Sequence, residues 1–204
     1  MSRTAAQWDE AYAERAASGQ TLWTAGPNDT VASVLGDLAC GTALDVAAGE
    51  GRHALWLAER GWQVTAVDFS GVALDLAART AAARNLHLET VRADVTDWAP
   101  DGAFDLVLCA YLHLPSAVSH PLLERMGHWV APGGRLVTLG HDRANLDQGV
   151  GGPQDPDVLW DAGLLGTVAA AAGLDVARLE PVRRPVEGAD RPALDVLLVA
   201  VRSG

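Results

Sequence analysis

Leu44-Asp45-Val46-Ala47-Ala48-Gly49-Glu50-Gly51-Arg52-His53-Ala54 is the stretch that decides the fold. A short apolar run ends in a carboxylate, crosses two glycines one residue apart, and enters a segment with Ala54, Leu57 and Ala58 on one helical face before Gly61 stops it. That is a strand, a tight loop and a helix. Gly49 and Gly51 allow the backbone to turn sharply and to approach a ligand with no Cβ in the way. Downstream the same alternation repeats. Strands are expected at 42–47, 62–67, 87–92, 103–110 and 135–140, with helices at 51–60 and 71–84. Ser70 is a good N-cap for the 71–84 helix. Pro121 fits the first turn of a helix that buries Leu122, Met126 and Trp129, and Ala131-Pro132-Gly133-Gly134 turns the chain into the fifth strand. Residues 93–102 leave room for at most one helical turn before Pro100-Asp101-Gly102. Strand–helix alternation of this kind specifies a parallel sheet covered on both faces.

The flanks differ from this core. Residues 5–17 read as an Ala-rich helix and 30–38 as a second short one; 143–157 read as loop and 158–172 as a helix. Residues 174–184 and 193–202 are two strands joined by a short link, which predicts an antiparallel hairpin. The expected fold is α/β: a Rossmann-like doubly wound sheet of five parallel strands plus a C-terminal antiparallel hairpin, in the order 3-2-1-4-5-7-6. The expected organisation is a single domain over 1–204, with a helical cap or lid at 1–40, a cofactor-binding core at 41–142, and a substrate loop, helix and hairpin at 143–204.

Composition narrows the chemistry. The formal net charge is −11, so the chain has little basic surface to offer phosphates, and nucleic acid is not an expected partner. Arg183, Arg184 and Arg191 are read as solvated charges flanking the hairpin. There is no lysine, which excludes a P-loop lysine and Schiff-base chemistry on lysine. Cys40 and Cys109 form no Cys-x-x-Cys pair and are read as buried free thiols in a reducing compartment. The N-terminal segment is charged and lacks an apolar signal core, and no apolar run reaches the ~20 residues of a membrane helix. The expected location is the cytoplasm, with no membrane partner. His53, His87, His120 and His128 show no ligand spacing, and no metal site is expected.

Strand two ends in Val67-Asp68-Phe69-Ser70, which places Asp68 to accept hydrogen bonds from ribose hydroxyls. With the glycine loop, this points to an adenosine-type ligand across the carboxyl ends of the strands. Gly-x-Gly-x-x-Ala followed by an acid also fits a nicotinamide-dependent dehydrogenase. Three features favour a methyl donor. Asp45 is awkward beside a pyrophosphate and useful beside an ammonium. Asp94, in Arg92-Ala93-Asp94-Val95, supplies a second acid at the next strand end. The tail is a hairpin and not further strand–helix units.

Together, LDVAAGEGRHALWLAERGWQVTAVDFS, ADVTDW, FDLVLCAYLHLP and HWVAPGGRLVTLGH resemble the successive motifs of class I S-adenosylmethionine-dependent methyltransferases, over about residues 8 to 202. Trp8-Asp9-Glu10-Ala11-Tyr12 with Leu22-Trp23 and Pro27-Asn28 resembles the small-molecule branch near tellurite-resistance and thiopurine S-methyltransferases. The resemblance implies S-adenosylmethionine as cofactor and a small-molecule methyl acceptor, in a monomer or homodimer. It implies that Gly49 and Gly51 line the methionine portion with Asp45 near its amino group and Arg52 near its carboxylate. Asp68 would hold the ribose, Phe69 would flank the adenine, and Asp94 and Val95 would meet the adenine edge. Ala47, Ser70, Ala93 and Cys109 would line the same cofactor site, and Trp8, Tyr12 and Trp23 would form a flap over it. Ala47 and Ala48 stand where the family often has a cysteine.

His113 follows strand four and His141 follows strand five, on what is the ligand side of an open α/β sheet, so both are candidate general bases. Trp56, Trp62 and Trp129 read as core. The Gly149–Pro156 loop reads as a lid over the substrate. The fourth-strand motif lacks the Asn/Asp-Pro-Pro-aromatic sequence of enzymes that methylate adenine or glutamine amino groups, which disfavours those substrates. A dehydrogenase of the same fold and a non-catalytic binding module are the rival readings.

Overall fold

The computed structural model describes residues 4–22 and 26–204; Trp23 lies outside the described residues. Seven strands take the order β3-β2-β1-β4-β5-β7-β6, the order expected from the sequence. The chain divides into two compact units, residues 1–104 and 105–204.

The first unit holds helix α1 (Ala5–Ala17), α2 (Asp29–Leu35), β1 (Thr42–Val46), α3 (Arg52–Glu59), β2 (Gln63–Asp68), α4 (Gly71–Ala83) and β3 (Leu88–Arg92). Strand β1 pairs in parallel with β2, and β2 with β3. The register sets Asp45 opposite Ala66 and Asp68 opposite Arg92, so the strands end together. Ala43, Leu44, Val46, Ala66 and Val67 are fully buried, as strands covered on both faces require. Helix starts follow their caps. Thr4 and Gln7 form a capping box on α1, the Asn28 side chain accepts from Thr30 and Val31, and Ser70 Oγ accepts from the Ala73 N–H at 3.1 Å. Helix α2 stops at Leu35, earlier than the 30–38 expected.

The second unit holds β4 (Phe104–Ala110, beginning at the boundary), α5 (Ser116–His128), β5 (Val130–His141), α6 (Asn145–Gln148), α7 (Ala162–Ala171), β6 (Asp175–Arg184) and β7 (Ala193–Val201). Strand β7 pairs antiparallel with both β5 and β6, which completes the predicted hairpin. Strand β6 is the exposed edge, and its Arg178, Glu180 and Arg183 discourage edge-to-edge pairing.

Several local expectations are corrected. Pro121 lies inside α5 and not in its first turn, because Pro115 at the N-cap starts the helix at Ser116. The carbonyl that Pro121 leaves unpaired belongs to exposed Ala117, where solvent serves it. Strand β5 begins at Val130 and not at 135, because Gly133 and Gly134 exchange backbone hydrogen bonds with Arg202. The helix expected at 158–172 begins at Ala162, capped by Asp161; Leu159 and Trp160 before it are extended, and Trp160 bridges to Asp142. Cys40 is exposed, its Sγ donating to the Arg60 carbonyl, whereas Cys109 is buried as expected. Trp62 and Trp129 are core residues, while Trp56 is half-buried beneath the Arg60 guanidinium. No described helix is long and apolar enough to cross a membrane.

Candidate active site

The loop after β1 is built on left-handed backbone. Ala47, Gly49 and Gly51 have φ of 56°, 55° and 75°. Two of these positions are glycine, where positive φ costs nothing. Gly51 hands the chain directly to α3 with no side-chain cap. The first N–H groups of α3 therefore need other partners, and Asp45 Oδ2 accepts the one from Ala54 at 3.0 Å. Asp45 is 1% exposed. Burial pushes its carboxyl up to about 7, against the Ala54 N–H and the Arg52 charge, which favour the anion.

Asp68, at the end of β2, closes the loop from the other side. Its Oδ2 accepts from the Gly49 N–H at 2.9 Å and its Oδ1 from the Ser70 N–H at 2.8 Å. Burial raises its pKa, opposed by those backbone hydrogen bonds. The Phe69 N–H also favours the anion, and an ionised carboxylate has capacity for a further bond. These residues fit a ligand bearing hydroxyl groups. Ala93 N–H donates to the Asp68 carbonyl, and this ties the β3 end to the β2 end. Asp94 accepts from both the backbone and the hydroxyl of Thr96, and Val95 is buried beside it. Phe69 is half-buried and Ser70 fully buried.

Helix α1 lies over this loop. A Cβ at position 49 would fall 2.6 Å from the Tyr12 hydroxyl. Tyr12 is buried and stacks on Trp8 at 5.8 Å. Asp9 anchors the helix by accepting from Ser70 Oγ at 2.5 Å and the Val72 N–H at 3.3 Å. Farther along, the Leu22 N–H donates to the Glu50 carboxylate. The two glycines have different work. Gly49 faces Tyr12, whereas a Cβ at Gly51 would fall 2.9 Å from Ala77 Cβ, so Gly51 serves the packing of the loop on α4. The sequence offered no reason to single out His53, yet it is buried, its Nε2 accepts the Asn28 N–H at 3.3 Å, and burial holds its pKa down to about 3.

In the second unit, His113 and His141 come together as expected of neither from spacing alone. Their rings stack at 5.2 Å. His141 Nδ1 stands 3.0 Å from Asp195 Oδ1, and the Tyr111 hydroxyl and Arg184 Nε donate to Asp195 Oδ2 at 2.7 and 2.9 Å. Arg184 Nε also donates to the Tyr111 hydroxyl at 3.2 Å, and its guanidinium sits 5.6 Å from the Tyr111 ring. Arg184 is thus a partnered charge and not the solvated one expected. Tyr111 has φ 62°, rare for a bulky side chain, and its N–H is fixed to the Leu139 carbonyl at 2.7 Å. Burial works against the charge on Asp195, but the His141, Arg184 and Tyr111 hydrogen bonds outweigh it and hold its carboxyl below the usual range. His113 is held down to about 4 by burial and by His141.

The loop after β5 is anchored and not free. Asn145, buried, donates from Nδ2 to the Gly151 carbonyl at 2.9 Å and accepts the Leu194 N–H at 2.7 Å. The Trp160 backbone N–H donates to the His141 carbonyl, and a Cβ at Gly140 would fall 2.6 Å from the Trp160 ring. Sequence reading missed Asp195, Asn145 and Trp160. One signal for Asp195 was available: it is the single acid inside the otherwise apolar Ala193–Val201 strand. Among the described residues no group of three or more His, Cys, Asp or Glu is arranged to hold a metal.

Comparison with known proteins agrees with this architecture. A family described as "Methyltransferase domain" matches residues 43–134. A demethylmenaquinone methyltransferase of Thermus thermophilus is 41% identical over 99 residues, 47% of this chain and 45% of that protein. The chain spans about half the length of the curated relatives it matches. TehB from Haemophilus influenzae superposes with a TM-score of 0.73 at 16% identity, covering 88% of this chain and 64% of that one. Magnesium protoporphyrin IX methyltransferase from Synechocystis, solved with bound S-adenosylmethionine, superposes with a TM-score of 0.67 at 18% identity, covering 86% and 77%.

Proposed function

We propose that this chain, which has the class I methyltransferase fold and carries a methyltransferase domain over residues 43–134, transfers a methyl group from S-adenosylmethionine to a small molecule by in-line displacement. The observation that carries the reading is the Asp68 carboxylate at the end of β2, bonded to the Gly49 N–H of a left-handed glycine loop and still able to accept from ribose hydroxyls. When bound, S-adenosylmethionine supplies an activated methyl group on a sulfonium. The chain's own residues align and enclose it. In this reading Asp45 faces the amino group and Arg52 the carboxylate of the methionine portion, with Ala47, Gly49 and Gly51 along it. Phe69, Ser70, Ala93, Asp94 and Val95 surround the adenosine. Helix α1, with Trp8 and Tyr12, is a cover that excludes water. His113 and His141 are the candidate bases. The 1–204 chain then works as one methyltransferase domain in the cytoplasm, as monomer or homodimer, with a small-molecule partner and no nucleic acid.

Calorimetry with S-adenosylhomocysteine and with NADH separates this reading from the dehydrogenase. Binding of the first and not the second is expected. Detecting released S-adenosylhomocysteine over a panel of thiols, phenols, amines and metalloid oxyanions then finds the acceptor. Binding of NADH alone would overturn the assignment.

A further inference from the structure

The five-residue polar cluster of the second unit is larger than any fold requirement explains. Asp195 lies fully buried in β7, whose Leu194, Val196, Leu197 and Leu198 are all buried and apolar. A carboxylate there is costly unless its oxygens are satisfied. Oδ2 is satisfied by Tyr111 and Arg184, while Oδ1 faces His141 Nδ1 at 3.0 Å and neither of those two atoms has another partner among the described residues. The arrangement fixes the imidazole. With Nδ1 held against a carboxylate, the proton of the neutral ring resides on Nδ1, and Nε2 is the basic nitrogen. The loop backbone packs closely on the ring at that nitrogen. A Cβ at Gly152 would fall 2.9 Å from His141 Nε2 and 2.8 Å from Cδ2, and Gly152 has φ +72°, which only glycine adopts freely. Asn145, through its bond to the neighbouring Gly151 carbonyl, holds the loop in that place. The stacked His113 ring is neutral near pH 7, and its buried Nε2 has no hydrogen-bond partner.

We propose that His141 removes a proton from the methyl acceptor, that Asp195 positions it with Arg184 and Tyr111 behind, and that the acceptor is therefore a protic oxygen or nitrogen nucleophile. This rests on the methyl-transfer reading above. In the step, the acceptor O–H or N–H passes its proton to His141 Nε2 while its lone pair forms the new bond to the methyl carbon. The carbon–sulfur bond breaks, and its electron pair stays on sulfur, so the sulfonium charge becomes the imidazolium charge. Asp195 stabilises that imidazolium, which later returns its proton to water. His113, uncharged, offers Nε2 as a hydrogen-bond acceptor for the same substrate. A nucleophile that arrives as an anion needs no proton sink, and a buried carboxylate behind the imidazole opposes its approach. The groups facing His141 from the elements of this unit are Asp195 on β7, Arg184 on β6, and Tyr111 and His113 after β4.

The test uses the full chain and four variants: Asp195→Asn, His141→Gln, Gly152→Ala and Tyr111→Phe. Imidazole NMR across pH reads the dyad directly without donor or acceptor. We expect an Nδ1–H tautomer for His141 in the wild type and a mixture of tautomers in Asp195→Asn, whose amide no longer enforces one. Transfer to phenol, aniline and thiophenol, which share one ring, reads the acceptor class. Phenol or aniline should be methylated in preference to thiophenol. His141→Gln should lose about 100-fold or more in kcat, the usual scale for a general base, with S-adenosylhomocysteine binding unchanged. Asp195→Asn should lower kcat for phenol by about 10-fold or more, together with the change of tautomer and with S-adenosylhomocysteine binding unchanged. Should Asp195→Asn fail to fold, the wild-type tautomer and Gly152→Ala decide, since a methyl group beside Nε2 should lower kcat for phenol with little change in donor affinity. An Nε2–H tautomer in the wild type, an unchanged tautomer in Asp195→Asn, or faster turnover of thiophenol that survives His141→Gln overturns the proposal. Failure of the wild type to bind S-adenosylhomocysteine overturns instead the reading on which it rests.

Discussion

Asp45 and Asp195 are both carboxylates at 1% exposure or less, one in each unit, and their environments push them in opposite directions. Asp45 has a single backbone hydrogen bond, from Ala54, and burial dominates, so its carboxyl rises to about 7. Asp195 has three side-chain partners, one of them a guanidinium, and they outweigh burial. Burial alone does not decide the charge of an acid; the number and charge of its partners do. The contrast extends to the regions around them. The glycine loop is held by backbone N–H groups and presents carboxylates with spare acceptor capacity. The histidine cluster is held by side chains and presents basic nitrogens.

This difference gives the largest expected effect. Asp195→Ala removes the common partner of His141, Arg184 and Tyr111 and leaves the part-buried guanidinium without its carboxylate. A loss of about 3–5 kcal/mol in urea unfolding is expected, the scale of breaking a buried ion pair. A loss under ~1 kcal/mol would mean that the cluster is dispensable for folding and that the contrast with Asp45 is overdrawn.

Asp68→Ala acts on the other region and on binding. Removal of a charged acceptor from the ribose position should weaken S-adenosylhomocysteine by about 1.5–3 kcal/mol in calorimetry. Since Asp68 also accepts from Gly49 and Ser70, the affinity is to be compared with that of Asp68→Asn, which keeps an oxygen for one of them. Equal affinity in all three proteins would remove Asp68 from the ligand. Gly51→Val is the companion probe of the loop. Because position 51 has φ +75° and faces Ala77, the variant should lose stability by about 1–3 kcal/mol through backbone strain and overpacking, beyond any effect on binding.

How much of this was legible beforehand follows from sequence distance. Strand order, the loop 47–51 and the capping of α4 by Ser70 are local patterns: periodicity, glycines and a serine before a helix. The bond from Gly49 to Asp68 joins motif residues whose spacing is itself the signal. Asp195 was hidden because its partners at 111, 141 and 184 lie far along the chain, and only folding brings them together. Arg184 looked like a solvated hairpin charge for the same reason. Gly152 and Gly51 look alike in sequence, and only their neighbours show that one brings the loop against a histidine and the other against a helix.

The smallest effect sharpens the comparison inside the first unit, where Asp45 and His53 oppose each other. Asp45 has its folded pKa raised from 3.8 to about 7, so its contribution is fully present below pH ~4 and is lost as pH rises through about 7. His53 has its folded pKa lowered from 6.5 to about 3, so its contribution is present above pH ~6.5 and is lost as pH falls toward about 3. Over pH 4 to 6.5 the two slopes have opposite sign and largely cancel. Single substitutions should unmask them. Asp45→Asn keeps an oxygen for the Ala54 N–H and no longer buries a charge, so it should raise stability at pH 8 by on the order of 1–2 kcal/mol, while weakening S-adenosylhomocysteine if the carboxylate meets the ligand's ammonium. His53→Gln keeps an acceptor for the Asn28 N–H and cannot be protonated. It should leave stability at pH 8 within about 1 kcal/mol of the wild type and resist acid better between pH 6 and 4. Urea unfolding of both variants at pH 4, 6 and 8 measures the slopes. If Asp45→Asn is no more stable than the wild type at pH 8, Asp45 is ionised at little cost, and its difference from Asp195 lies in the arrangement of its partners and not in its charge.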